Sequence, residues 1–159
     1  MREQPKYRIP EKGITVWRIY GVFQTLFLAL TAGATSALTY YFEGPFYLHL
    51  IGWAIVMAAL IFLIWLFPNI RHRIWRYEVR EQEIEIQSGL FIVTRTLIPM
   101  VRVQHVDTEQ GPILKRYGLS NISISSAATT HTIPFLEMHE ADGLRARISE
   151  LARVAEDDV

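Results

Sequence analysis

The chain has no cysteine among its 159 residues. This absence excludes disulfide bonds, a thiolate nucleophile and thiolate ligation of a metal. The sequence also lacks the G-x-S-x-G turn, the Walker loop, the H-E-x-x-H pair and the glycine pattern of dinucleotide-binding sites. Hydrolase, nucleotide-binding and zinc-protease functions therefore have no support in its motifs.

Charge is almost missing from one long stretch of the chain. The totals are balanced, with 16 Lys+Arg, 16 Asp+Glu and 50% hydrophobic residues. From Ile19 to Phe67, however, Glu43 is the only formally charged residue. Such segregation of apolar residues is typical of a membrane protein.

Two apolar runs predict a transmembrane hairpin over residues 17–67. The runs are Trp17–Phe42 and Phe46–Phe67, each long enough for the roughly 20 residues that cross a bilayer as a helix. A short polar turn, Glu43–Pro45, joins them. A soluble helical hairpin is disfavoured because neither run has a polar face. The small residues Ala34–Ala37 also resemble a signal-peptide cleavage site, but the second run would anchor the chain even after cleavage.

The basic residues predict the orientation of this hairpin. They flank both runs, whereas the connecting turn has none: Arg2, Lys6, Arg8, Lys12 and Arg18 come before, and Arg71, Arg73 and Arg76 come after. By the positive-inside rule both termini are expected to lie in the cytoplasm. The chain is therefore expected to be a multi-pass protein of the cell membrane.

The segment PNIRHRIWR, residues 68–76, is interpreted as a basic juxtamembrane junction. Arg71, Arg73, Trp75 and Arg76 are its candidate contacts to the membrane surface or to lipid, because arginine and tryptophan favour that interface. A specific pocket for an anionic lipid headgroup, built from the same residues, is the alternative.

Small residues predict where the helices pack. Ala29, Gly33 and Ala37 recur every four residues in the first run, and Ala54 and Ala58 do so in the second. Such faces let two helix backbones approach closely. Packing within the hairpin is the simpler interpretation, and contact with the helices of a partner is the alternative.

After Arg76 the pattern changes to alternating strands, which predicts a domain over residues 77–154. A β-hairpin with Ser88-Gly89 at its turn precedes the alternating stretch 101–110, and strands follow around Ile122 and Ile124 and over 130–136. Pro134 favours an edge position for the last strand. A helix with Leu144, Ile148 and Leu151 on one face should cover the sheet, with an acidic tail at 155–159 behind it. Residues 1–16 are expected to form a cytoplasmic tail.

The fold class is therefore α+β, a two-helix hairpin followed by a small antiparallel β domain with a C-terminal helix. Four stretches, RHRIWRYE, EQEIEIQSGLF, IPMVRVQHVDTEQGPILKRYGL and EADGLRARISELARV, carry a family resemblance. Over nearly its full length the chain resembles the YdbS-type membrane proteins of the DUF304 group, whose soluble part resembles a pleckstrin-homology (PH) fold.

The resemblance implies a bent antiparallel sheet capped by one helix. It also implies a partner, a larger YdbT-type membrane protein with several PH-like domains, and an association with defence of the envelope against antimicrobial peptides. Phosphoinositide binding is not implied, because the turn Ser88–Leu90 lacks the basic residues that phosphoinositide-binding PH domains carry there. The domain is short for a PH fold, which leaves a strand edge that another chain could complete.

The remaining polar residues indicate no catalytic site. His105 and Asp107 could share a strand face, but zinc usually takes four ligands, so a surface histidine is favoured. The glutamates Glu81, Glu83 and Glu85 are expected to form a solvated strand face, and the serines and threonines around 123–132 a half-exposed strand. From Pro68 onward there are 13 acidic and 11 basic residues, which argues against nucleic-acid binding.

These observations predict a non-enzymatic, membrane-anchored PH-like interaction module without a cofactor or metal. Its predicted partners are the larger YdbT-type protein and membrane lipids, and self-association into an oligomer stays open. Recognition of anionic lipid is the alternative function, and an enzyme is the least favoured. The candidate partner contacts are Arg102, Gln104, His105, Lys115 and Arg116.

Overall fold

The computed structural model describes residues 4–127 and 129–157. The chain divides into two compact units. One is the helical unit, Ile14–Ile70, and the other combines residues 4–13 with residues 71–157. Each unit is described by itself.

The helical unit contains most of two long helices. Helix α1 is Lys12–Tyr41; the second helix runs from Tyr47 to Ile74 as α2 (Tyr47–Leu60), a π-helical stretch (Ile61–Leu66) and α3 (Phe67–Ile74). Both helices are long and apolar enough to cross a membrane. The first helix begins five residues before the predicted Trp17. The second continues through most of the segment interpreted as a junction.

The two helices approach closely on a face that includes Gly21, Thr25 and Ala32. A Cβ atom added at Gly21 would lie 2.6 Å from the carbonyl oxygen of Leu63, and one at Gly52 would lie 3.9 Å from the Cβ of Ala32. This face differs from the predicted small-residue face, so packing within the hairpin is corrected, while contact of the predicted residues with a partner's helices stays a prediction. Open space surrounds Gly33, Ala29 is half-buried, and the other predicted contacts are exposed: Ala37, Ala54 and Ala58. Small residues recur on two faces of α1, and their spacing alone does not decide which face is used.

The π-helical stretch lies directly before Pro68. Proline lacks the N–H that would bond to the carbonyl four residues earlier, and in a regular α-helix its ring clashes with that carbonyl. The wider π turns at Ile61–Leu66 move this carbonyl away, so the helix passes the proline and continues to Ile74.

The second unit contains two antiparallel sheets. The first sheet has the strand order β1-β2-β3-β4, formed by β1 (Tyr7–Arg8), β2 (Arg76–Val79), β3 (Glu83–Gly89) and β4 (Val93–Pro99). The predicted hairpin is confirmed, but its turn is corrected: Ser88 and Gly89 belong to β3, and the connection is the three residues Leu90–Ile92, because Gly89 pairs with Val93. The edge strand β1 comes from the segment that was expected to be a tail.

Several contacts hold this N-terminal segment in the domain. Tyr7 pairs with Tyr77 across the strands and stacks on its ring at 5.7 Å. His72 Nε2 lies 2.9 Å from the carbonyl oxygen of Ile9, whose side chain is buried. Lys12 Nζ donates a 2.8 Å hydrogen bond to a carboxylate oxygen of Glu137, which lowers the pKa of that carboxyl.

The second sheet has the order β5-β6-β7, formed by β5 (Val103–Glu109), β6 (Leu119–Ser126) and β7 (Thr130–Glu137). Helix α4 (Pro112–Arg116) joins β5 to β6. Pro134 lies in the end strand β7, which confirms its predicted edge position.

The core of this unit lies between the sheets and helix α5 (Met138–Asp157), which contacts β5, β6 and β7. Ile148 of α5 is fully buried, as predicted, while Leu144 and Leu151 are half-buried. The fully buried core also includes Ile84, Met100, Leu119, Ile122, Ile124, Ile133 and Leu136. The predicted α+β class with a PH-like domain is confirmed. Helix α5 also takes in residues 155–157 of the predicted acidic tail; residues 158 and 159 lie outside the described part.

Candidate partner-binding cleft

A cleft opens where the chain passes from the first sheet to the second. A 3-10 turn, Met100–Arg102, connects β4 to β5, and the Met100 side chain is almost fully buried below it. The backbone N–H of Met100 donates to the carbonyl of Gln82 at 2.9 Å, which fixes the turn against the first sheet. The cleft has a volume of about 940 Å³. It is lined by Thr96, Leu97, Ile98, Pro99, Val101, Arg102, Val103, Gln104, His105, Ser126, Ala127, Thr129 and His131.

The two strands beside the cleft are end strands of their sheets. Within residues 4–127 and 129–157, β4 pairs only with β3, and β5 pairs only with β6. An end strand presents backbone N–H and C=O groups that a further strand can bind. Leu97 and Val101 are 41% and 47% exposed there, so apolar surface accompanies these groups. The cleft can therefore accept an extended polypeptide through both backbone and side-chain contacts.

Three of the five predicted partner contacts line this cleft. They are Arg102, Gln104 and His105. The pairing of β5 with β6 shifts register between Val103 and His105, so a β-bulge occurs at Gln104 and changes the direction of the neighbouring side chains. Lys115 and Arg116 are exposed on α4 and are not part of the lining.

The opposite wall of the cleft was missed by sequence reasoning. It contains Thr129 and His131, whose hydroxyl and Nε2 atoms lie 3.0 Å apart. These residues belong to the hydroxyl-rich stretch that was interpreted as a half-exposed strand. No local signal indicated that this stretch faces the start of β5, because the contact depends on how the second sheet pairs.

The basic residues at the end of α3 and the start of β2 occupy different environments. Arg73 is exposed, and Arg71 and Arg76 are half-buried. Trp75 is only 5% exposed, so its predicted role as a membrane-surface contact is corrected to that of a core residue. Interface tryptophans and core tryptophans have the same local pattern next to a strand, and tertiary packing decides between them.

The predicted solvated glutamate face is corrected at Glu85, while Glu81 is exposed as predicted and Glu83 is half-buried. Glu85 is 3% exposed, and Glu78, its cross-strand neighbour, is 8% exposed. Arg80 lies 2.9 Å from Glu78 and 3.4 Å from Glu85, and the hydrogen bond to Glu78 raises the pKa of Arg80. Arg95 lies 3.4 Å from the other oxygen of Glu85. These contacts assign the glutamates a structural role.

The described residues contain no group of three or more His, Cys, Asp or Glu side chains that could hold a metal ion. His105 and His131 both line the cleft, but they lack the carboxylates or further histidines that a metal requires. Among residues 4–127 and 129–157 the cleft thus offers strand edges and side chains, but no set of metal ligands.

Comparisons with known proteins agree with this architecture. A family model described as "Bacterial PH domain" matches residues 15–152. The chain is also 51% identical, over 159 residues and 100% of both chains, to the UPF0699 transmembrane protein YdbS of Bacillus subtilis (strain 168). No solved structure matches significantly.

Proposed function

Because this chain belongs to the bacterial PH domain family, we propose that it is a non-enzymatic interaction module that assembles with a larger, YdbT-type membrane protein. Two helices anchor the module in the cell membrane as a multi-pass protein, and both termini lie in the cytoplasm. Defence of the envelope against antimicrobial peptides is the process in which this assembly is proposed to act.

The cleft between the end strands β4 and β5 is the observation that carries this proposal. A partner with several PH-like domains has strands of its own, and an extended segment of it could add to either edge. Arg102 and His105 would contact its side chains, while Leu97 and Val101 would bury apolar surface. Backbone bonding of this kind needs no catalytic group, which agrees with the absence of catalytic motifs from the sequence.

The basic flanks support the proposed topology. Five basic residues precede the apolar part of α1 and three follow the apolar part of the second helix, whereas the turn around Glu43 has none. Lysine and arginine are retained on the cytoplasmic side during insertion. A reporter that works only in the cytoplasm should therefore be active when it is fused to either terminus. A reporter that works only outside the cytoplasm should be inactive at both termini.

The test is a pull-down of the tagged full chain from native membranes in mild detergent, with mass spectrometry of the bound proteins. A near-stoichiometric membrane protein with several PH-like domains is expected. Leu97→Asp and Arg102→Glu should each reduce its recovery at least several-fold. The proposal fails if the protein is recovered as a lone monomer from native membranes as well as after purification.

Arg116→Glu provides the matched control. It makes the same charge change as Arg102→Glu at an exposed residue outside the cleft. Unchanged recovery with Arg116→Glu, together with loss with Arg102→Glu, locates the contact in the cleft. The reverse result moves the contact to α4 and rejects the cleft as the binding surface.

Recognition of anionic lipid is a second candidate function. It is favoured by the exposure of Arg73 at the end of the second helix, with Arg71 and Arg76 beside it in sequence. Each such charge near an anionic surface contributes about 1 kcal/mol. Replacing all three by glutamine should abolish any preference for phosphatidylglycerol over phosphatidylcholine around the reconstituted protein. Equal lipid selectivity of the variant and the wild type would reject this function.

A further inference from the structure

The connection between β3 and β4 is unusually apolar for a hairpin turn. Leu90, Phe91 and Ile92 form it, although such turns are normally built from Gly, Asn, Asp and Ser. Phe91 is 79% exposed and Ile92 is 82% exposed. Two large apolar side chains thus project from the tip of one hairpin.

The hairpin is well ordered by its pairing. β3 and β4 pair without a break from Glu83–Pro99 to Gly89–Val93. Gly89 has φ +145°, and a Cβ there would lie 2.0 Å from the carbonyl oxygen of Ile92. Only glycine fits this conformation, so Gly89 permits the tight connection that puts Phe91 and Ile92 at the tip.

Strand register places the tip at the end of the domain where the second apolar helix stops. That helix ends at Ile74, and β2 begins two residues later at Arg76, which pairs with Gln87. The side-chain amide of Gln87 donates to the carbonyl oxygen of Ile74 at 3.1 Å. Residues 88–90 continue β3 past Arg76 by roughly 10 Å at the usual rise of a strand. The opposite turn of the β2–β3 hairpin, at Arg80–Gln82, points away from this end.

We propose that Leu90, Phe91 and Ile92 insert into the boundary between headgroups and acyl chains of the bilayer. A span that ends next to the basic residues Arg71 and Arg73 has its terminus at this boundary. Apolar side chains close to it lose contact with water on entering the lipid. The neighbouring residues Ser88 and Thr94 are uncharged and impose no cost of burying a charge. None of these three residues belongs to the lining of the partner-binding cleft or to the arginine cluster, defined as Arg71, Arg73 and Arg76.

The absence of cysteine makes a depth measurement direct. Single cysteines at Phe91 and at Ile92 (F91C, I92C) would each carry a nitroxide label in the full chain, reconstituted into nanodiscs of neutral phosphatidylcholine. Glu81→Cys is the matched control, because Glu81 is exposed in the opposite turn of the β2–β3 hairpin. Collision rates with oxygen, which concentrates in lipid, and with a water-soluble nickel chelate report the environment of the label.

The oxygen-to-nickel collision ratio is expected to be several-fold higher at residues 91 and 92 than at residue 81. Equal ratios at the three positions would overturn the proposal, because the tip would then be in water. Shielding from both reagents at 91 and 92 would also overturn it in favour of a protein contact. If one variant does not fold, the other tip position carries the test. Because the protein is purified, no partner contributes to the outcome. Because the lipid is neutral, charge attraction to the arginine cluster does not contribute either.

Discussion

Glu78 and Glu85 face each other across β2 and β3 with both side chains buried, and the guanidinium of Arg80 lies 2.9 Å from one carboxylate and 3.4 Å from the other. Like charges directly opposite each other on a sheet destabilise it. One cation that contacts both carboxylates offsets this repulsion. Lys6 and Arg95 each contact one of the two glutamates, at 3.9 Å and 3.4 Å.

Replacing Arg80 by alanine should lower the melting temperature of the protein. The two buried carboxylates would keep their mutual repulsion and lose the group that they share. Thermal unfolding in detergent, followed by tryptophan fluorescence, measures the effect. Glu78→Gln in the same background should restore part of the loss, because it removes one of the opposed charges.

Arg145→Ala is the control for this prediction. Arg145 forms an exposed ion pair with Asp142 at 3.6 Å, and such pairs contribute about 0–1 kcal/mol. If Arg80→Ala lowers the melting temperature no more than Arg145→Ala does, then Lys6 and Arg95 are sufficient for the two glutamates.

Gly13→Ala should destabilise the protein, whereas Gly143→Ala should stabilise it. A Cβ at Gly13 would lie 2.9 Å from Cδ2 and 3.1 Å from Cβ of Phe135, whose backbone is itself in a left-handed conformation with φ +60°. Overpacking of this kind costs about 1–3 kcal/mol. A Cβ at Gly143, inside α5, meets no atom within 4 Å, so alanine there gains about 1 kcal/mol of helix propensity. Melting temperatures that shift in the same direction for both variants would contradict this prediction.

The stability of the protein should fall between about pH 10 and pH 12 because of Tyr77. Burial, followed by the charges of Glu140 and Tyr7, raises the pKa of Tyr77 to about 12. The unfolded chain releases the Tyr77 proton near pH 10. The stabilisation of the folded state by Tyr77 is therefore fully present below about pH 10 and is lost as the pH rises to about 12. The loss is on the order of 2 kcal/mol.

Tyr77→Phe should remove this part of the alkaline destabilisation. The measurement compares the free energy of unfolding at pH 9 and at pH 11.5 within each protein, so that any change in basal stability cancels. An equal alkaline loss in the variant and the wild type would show that Tyr77 is not responsible.

Gly21→Ala should weaken the helical hairpin, while Gly33→Ala should leave it unchanged. The added methyl at Gly21 would meet backbone of the second helix, the carbonyl carbon and oxygen of Leu63, which a rotamer change cannot move away. The expected cost is about 1–3 kcal/mol. Unfolding in increasing mole fractions of dodecyl sulfate gives the midpoints. An unshifted midpoint for Gly21→Ala would mean that the helices separate there without cost.

Local patterns in the sequence determined much of this protein. The uncharged stretch from Ile19 to Phe67 predicted two helices long enough to cross a membrane, because apolar length is a property of the segment itself. Alternation around Ile84 and Ile86 predicted strands, and the face containing Ile148 predicted the closing helix. Three of the residues proposed as partner contacts, Arg102, Gln104 and His105, were found together because they are neighbours in sequence.

Tertiary structure alone decided features that depend on distant partners. Tyr7 and Arg8 form a strand only because they pair with Tyr77 and Arg76 of β2, about seventy residues further along the chain. Glu85 is buried because Glu78, Arg80 and Arg95 surround it, so its alternation with isoleucine gave a misleading indication of exposure.

The cleft has the same origin. It exists because β4 and β5 end different sheets, and pairing between strands is not encoded in either strand alone. The periodicity of a segment is set by its own residues. Which edges pair, which helix faces meet and which charges are buried is set by contacts between segments, and those contacts form only when the whole chain folds.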